Sequence, residues 1–296
     1  MDGPCCGCED YVHEGTRGHG PITQPGGLNH GSWTRYWRAI ALAYATEGAS
    51  LALAARTLDA LEQTAHEAQA LGVSTCIVPA DVSDPTQVED MVRRTIDRFA
   101  TIDILVNNAG MAGPVGPLQE NAVEAWVQTI QVNLIGTYLC CRAVLPIMRQ
   151  HDYGKIINLS GAGATNAWRH LSAYSASKVA VVRLTETLAL ELEGTNIQVN
   201  ALGPGSIHTQ MWEELRDGAH MVGDTPLYEL GQRVTSGGGA SLECAAALAV
   251  FLASAASGTL SGRLISAVTD DFPNWPTQIA RIMASDALTL RRVDWP

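Results

Sequence analysis

One rhythm constrains this chain more than any other feature. From Arg38 onward, short apolar runs alternate with amphipathic stretches of roughly 10 to 20 residues. The pattern predicts helices at Arg38 to Glu47, Leu58 to Leu71, Pro85 to Phe99, Val123 to Arg149, Ala173 to Leu192 and Leu242 to Ala253. Between them it predicts strands at Leu51 to Ala55, Thr75 to Val78, Ile104 to Asn107, Ile156 to Ser160, Ile197 to Leu202 and Arg263 to Ser266. Asp84 and Pro85 form a helix-start signal, and Gly48 and Gly72 stand where helices end. Strands that are apolar on both faces and joined through helices build a parallel sheet covered on both sides. Right-handed crossovers make that sheet doubly wound. The reading is therefore a single α/β domain over 38–272, with an atypical segment at 1–37 and a tail at 273–296.

Charge and cysteine usage narrow the function. A net charge of −11 leaves no basic stripe for nucleic acid. No apolar run reaches the roughly 18 residues of a membrane span, and no basic n-region precedes an apolar core, so a cytoplasmic location is expected. Cys76, Cys140, Cys141 and Cys244 lie in apolar segments, as small hydrophobes do. Cys5, Cys6 and Cys8 cluster near His13, but their spacing is not that of a zinc finger, and no metal is expected.

Doubly wound sheets bind ligands at the carboxyl ends of their strands, and the informative residues follow strands. After Val106 comes Asn107-Asn108-Ala109-Gly110, where small residues admit close approach and Asn amides can brace neighbouring strands. Tyr174 and Lys178 are four apart on a predicted helix and share a face. A phenol with a pKa of about 10 is a poor base at neutral pH. A neighbouring ammonium lowers that pKa, which suits proton exchange with an alcohol or carbonyl oxygen. Asn133 interrupts an apolar helix face, and Pro204-Gly205 makes a turn after a strand. Each signal alone is also compatible with a turn, a solvated residue or chance spacing.

In order and spacing, these four signals resemble the short-chain dehydrogenase/reductase family, from about Arg38 to about Ala267. The resemblance implies a Rossmann sheet and hydride transfer between NAD(P)(H) and a carbonyl or secondary alcohol. It implies Tyr174 as general acid/base, Lys178 as the group that lowers its pKa and binds the nicotinamide ribose, and Asn133 as the holder of a relay water. Pro204, Gly205, Ile207 and Thr209 would flank the nicotinamide and its carboxamide. Asn107, Ala109 and Gly110 would line the adenosine ribose side, with Asp81 and Val82 at the adenine. The family's serine usually stands thirteen positions before the tyrosine, where this chain has Gly161; Ser160 is assigned in its place, with Thr165 a lesser stand-in. NAD-preferring members carry an acidic residue after the second strand, and this chain has Ala55 and Arg56, so NADP is preferred over NAD. A homodimer or homotetramer is implied, through the helices at 123–149 and 173–192. Substrate choice falls to 208–241, where Met211, Trp212, Met221 and Leu227 line an apolar lid or simply pack.

One motif is missing. The family's Thr-Gly-x-x-x-Gly-x-Gly loop should precede Arg38, but the chain reads His30-Gly31-Ser32-Trp33-Thr34-Arg35-Tyr36-Trp37. Only Gly31 matches a motif glycine and is assigned to the cofactor. Codons for these eight residues, read one base later, permit Thr-Gly-Ala-Gly-Arg-Gly-Ile-Gly. The stretch up to about Trp37 is thus compatible with a frame-shifted reading, which gene and transcript sequencing would test. Large side chains at glycine positions block approach to a diphosphate. Pro21 and Pro25 interrupt the place of a first strand. The literal chain is expected to bind NADP(H) weakly. The alternative is a degenerate member that serves as a binding or subunit partner.

Overall fold

A computed structural model describes residues 22–24 and 34–292. Ile22–Gln24 forms β1, and Thr34–Thr46 forms α1. Then follow β2 (Leu51–Ala55), α2 (Leu58–Ala70), β3 (Thr75–Pro79), α3 (Pro85–Phe99) and β4 (Ile104–Asn107). The second half runs α4 (Val123–Ile130), α5 (Gly136–His151), β5 (Gly154–Leu159), α6 (Ser172–Glu191) and β6 (Ile197–Gly203). It closes with α7 (Gln210–Met221), α8 (Thr225–Arg233), α9 (Leu242–Ala253), β7 (Leu264–Ser266) and α10 (Ile279–Met283).

The seven strands are all parallel, in the order β3-β2-β1-β4-β5-β6-β7. The order reverses between β1 and β4, which opens a crevice at the carboxyl edge there. Burial explains the apolar runs: every residue of β2, β4 and β5 is buried. Alternation along β2 sends Leu51 and Leu53 toward α1, α2 and α9, and Ala52 and Ala54 toward α3 and α5. The doubly wound α/β sheet expected from the sequence is thus what forms.

Three elements refine that expectation. The first strand exists, but only as three residues, with Ile22 opposite both Ala52 and Leu105. The long helix is continuous over Val123–His151 but carries a π-helical turn at Gln131–Ile135. By length and composition alone it is apolar enough to cross a bilayer, a test that the buried core helix of an α/β domain also passes. Here its Cys140, Cys141, Val144 and Met148 are buried in the core that also holds Val88, Met91 and Ile156. The third is the tail, which packs on its own chain. Leu264 N donates to Leu288 O at 2.8 Å, covering the free edge of β7, and Leu290 N donates to Glu186 Oε1 at 2.7 Å. Gly31, the cysteines at 5, 6 and 8, and His13 lie outside the described residues.

Candidate active site

The carboxyl ends of β4, β5 and β6 bring three loops together, and α6 crosses them. After β4, Asn107 Nδ2 donates to Asn158 Oδ1 at 2.9 Å, and Asn158 Nδ2 donates to Thr185 Oγ1 at 2.8 Å. The first Asn of the tetrapeptide therefore braces β4 to β5 and α6. Asn108 is almost wholly buried, and neither end of its amide finds a partner among the described residues. Ala109 and Gly110 continue the same buried loop.

After β5, Ser160 is buried with its Oγ unpartnered among the described residues. Gly161 lies directly under the Tyr174 phenol. A Cβ at Gly161 would collide with Tyr174 Oη. The residue thirteen places before the tyrosine is thus beside its hydroxyl, as the family spacing implies, but has no side chain to offer.

Tyr174 and Lys178 share one buried face of α6. Lys178 Nζ donates to Leu159 O at 2.8 Å and stands 6.0 Å from the Tyr174 ring centroid. Burial pushes Lys178 down to about 8 and pushes the Tyr174 phenol up to about 12. The expected lowering of the phenol by the ammonium is corrected here: desolvation by burial raises it instead.

Asn133 sits in the π-helical turn, where the extra residue rotates its side chain inward. Its Oδ1 accepts from Met111 N at 2.8 Å, and its Nδ2 donates to Met111 O and Ser177 Oγ, each at 2.9 Å. Ser177 Oγ in turn donates to Tyr174 O at 2.7 Å. This chain ties the loop after β4 to the helix turn that carries the tyrosine. The amide is spent on these partners.

After β6, Gly205 adopts φ +85°, a conformation that favours glycine, and a Cβ there would also strike Ala240 and Val268. Beyond Ile207, Thr209 is buried with an unpartnered Oγ1 among the described residues. Tyr36, from the first turns of α1, reaches this turn. Its Oη donates to Gly205 O at 2.8 Å and accepts from Ile207 N at 3.2 Å. Trp37 beside it is fully buried.

The remaining residues lie at the ends of β2 and β3. Arg56 is half-buried and makes no ion pair among the described residues. Asp81 accepts from Ser83 N and Oγ, at 2.9 and 2.6 Å, and Val82 is buried against Gly136. Of the expected apolar wall, Met211, Trp212 and Leu227 are buried in one cluster with Tyr174. Met221 is 81% exposed and is no part of it, because it ends its helix on the solvent side.

The model of the short chain dehydrogenase family matches residues 38–220. The chain belongs to the short-chain dehydrogenase family. Among its relatives, 2-(R)-hydroxypropyl-CoM dehydrogenase of Xanthobacter autotrophicus is 38% identical over 204 residues, covering 65% of this chain and 80% of that one. An NAD+-bound xylitol dehydrogenase has a similar structure, with TM-score 0.75 and 27% identity over 84% of this chain and 97% of the other. So does an actinorhodin polyketide ketoreductase with NADPH, with TM-score 0.75 and 26% identity over 86% and 97%. This short-chain dehydrogenase is thus an oxidoreductase of an NAD(P)-dependent family acting on alcohol or carbonyl groups.

Sequence reasoning named most residues around Tyr174. It passed over Tyr36, Ser177, Asn158 and Asn108, whose parts depend on contacts between segments far apart in the chain. For Asn108 a signal existed, since it stands inside a tetrapeptide already singled out.

Proposed function

We propose that this chain reduces a ketone or aldehyde with Tyr174 as proton donor, and oxidises the alcohol in reverse. The observation that carries the reading is the buried phenol above Gly161, within one apolar cluster with Met211, Trp212 and Leu227. A phenol held at about 12 stays protonated at neutral pH and suits the donor role in reduction. Ser160 Oγ, Thr209 Oγ1 and the Asn108 amide, unpartnered among the described residues, are the kind of buried polar atoms that a ligand satisfies. Ser160 and Thr209 fit a nicotinamide dinucleotide at the tyrosine end, with Thr209 toward the carboxamide and Lys178 toward the ribose. The dinucleotide, when bound, supplies or accepts the hydride. Ser160 Oγ would steady the carbonyl oxygen in place of the absent serine, and Asn133 would hold α6 in register through Met111 and Ser177.

NADP is preferred over NAD in this reading. Ala55 ends β2 and Arg56 follows it, so no carboxylate stands at that position to repel a 2′-phosphate, and the Arg56 guanidinium would pair with one. Asp81, Val82, Asn107, Ala109 and Gly110 would line the adenosine half. The enzyme would work in the cytoplasm as a homodimer or homotetramer. Val127, Tyr138, Val179 and Leu190 on α4, α5 and α6 are large exposed apolar residues that such an interface would cover.

The test is NADPH oxidation against a panel of ketones and aldehydes, with the Tyr174→Phe variant beside the wild type. Turnover that the variant loses supports the reading. A folded chain that binds NADPH yet turns over nothing favours the binding-partner alternative, which the glycine at 161 and the bulky α1 start make specific.

A further inference from the structure

The turn after β6 presents one acceptor, Gly205 O, and one donor, Ile207 N, at the carboxyl edge beside Tyr174. A carboxamide matches such a pair, its NH2 donating to the carbonyl and its C=O accepting from the N–H. A hydroxyl offers the same two functions from one atom. Tyr36 Oη makes both contacts, at 2.8 and 3.2 Å, on a side chain only 3% exposed. Tyr174 is near enough that its charge would further disfavour the Tyr36 phenolate, which burial already disfavours. The neutral hydroxyl therefore keeps both its donor and its acceptor role.

We propose that Tyr36 is an internal occupant of the nicotinamide end of the site: its hydroxyl takes the backbone pair that a nicotinamide carboxamide would use, and the dinucleotide seats fully only when Tyr36 swings away. The inference rests on the dinucleotide reading above. Binding energy is then spent on displacing the phenol, so the apparent affinity falls by the fraction of molecules in which the turn is free. Fully buried Trp37 fixes the first turns of α1 in the core, so the displacement falls on the Tyr36 side chain and the backbone just before it. The adenosine half of the ligand, bound toward β2 and β3, does not meet Tyr36.

Titration calorimetry of wild type, Tyr36→Phe and Tyr36→Leu tests this with two ligands, NADPH and the 2′-phosphorylated adenosine diphosphoribose that lacks nicotinamide. Tyr36→Phe keeps the ring volume and frees only the hydrogen-bonding pair. Loss of two net hydrogen bonds predicts NADPH binding tighter by roughly tenfold in Tyr36→Phe. Tyr36→Leu should gain at least as much. Affinity for the nicotinamide-free ligand should be unchanged in both. Equal NADPH affinity in wild type and Tyr36→Phe overturns the proposal while leaving the dinucleotide reading intact. An equal gain for both ligands also overturns it, because Tyr36 then acts on the fold rather than on the nicotinamide end. Folded variants that bind neither ligand overturn the proposal and the dinucleotide reading together.

Discussion

At the residue scale, the site turns on what burial does to a phenol and an ammonium. Spacing alone showed that Tyr174 and Lys178 share a helix face. It did not show that both are buried, nor that Lys178 Nζ is taken by Leu159 O. Those contacts come from β5, nearly twenty residues away, and no local pattern carries them. The consequence is a pH dependence set by the lysine. Its ammonium is present below about 8 and lost above it. The kcat/KM for carbonyl reduction, which reports groups of the free enzyme, should fall as pH rises through about 8; a profile flat from pH 7 to 10 would count against the role of Lys178. Ser160 was assigned as stand-in for a serine missing at Gly161, and its unpartnered Oγ keeps that assignment open to test. Ser160→Ala should lower kcat by about 10- to 100-fold if the hydroxyl stabilises the reacting oxygen, somewhat less than a dedicated oxyanion donor. Unchanged kcat would remove Ser160 from the site.

At the element scale, the strands and helices after Arg38 were legible because period and burial agree: β2, β4 and β5 are apolar on both faces because both faces are covered. The first strand was not legible. Three residues between prolines carry no pattern, and β1 exists through its parallel pairing with β2 and β4. Helices α7 and α8 were read only as a lid segment, and the π-helical turn at Asn133 was read as plain helix, since no sequence signal marks an inserted residue. At the start of α1 the resemblance expects a glycine loop that the sequence does not spell. Trp37, which the resemblance sets at a glycine position, is fully buried in the core cluster that also holds Tyr44, Leu248 and Leu252. Trp37→Ala should therefore destabilise the fold by about 3–5 kcal/mol, the usual cost of emptying a buried aromatic site. Urea unfolding measures it, and a change below about 1 kcal/mol would show that Trp37 is not packed as described.

At the scale of the whole molecule, two buried lysines tie stability to pH. Lys155 is held by Ser257 Oγ at 3.1 Å and Gly258 O at 3.2 Å, and burial lowers it to about 8, as it does Lys178. A lysine lowered on folding is protonated in the unfolded chain up to about 10.4. Between about 8 and 10.4 the unfolded state therefore holds the extra proton, and stability contributed by that site rises with pH. Relative to wild type, Lys155→Met should look best below pH 8 and lose that relative advantage by pH 10, in urea melts at the two pH values. A difference that does not change with pH would contradict the buried charge. Family membership and the doubly wound parallel sheet both followed from the sequence, whereas the strand order and the closed site, with Tyr36 against the turn after β6, are properties of the assembled molecule. The most direct test of the central claim is a single-turnover reaction with NADPH carrying deuterium at both C4 positions of the nicotinamide and a carbonyl substrate, in wild type and Tyr174→Phe. The account predicts one deuterium on the carbinol carbon of the product, with the rate about 10²- to 10⁴-fold lower in Tyr174→Phe and NADPH binding unchanged. Product without deuterium, or a Tyr174→Phe enzyme as fast as the wild type, would contradict it.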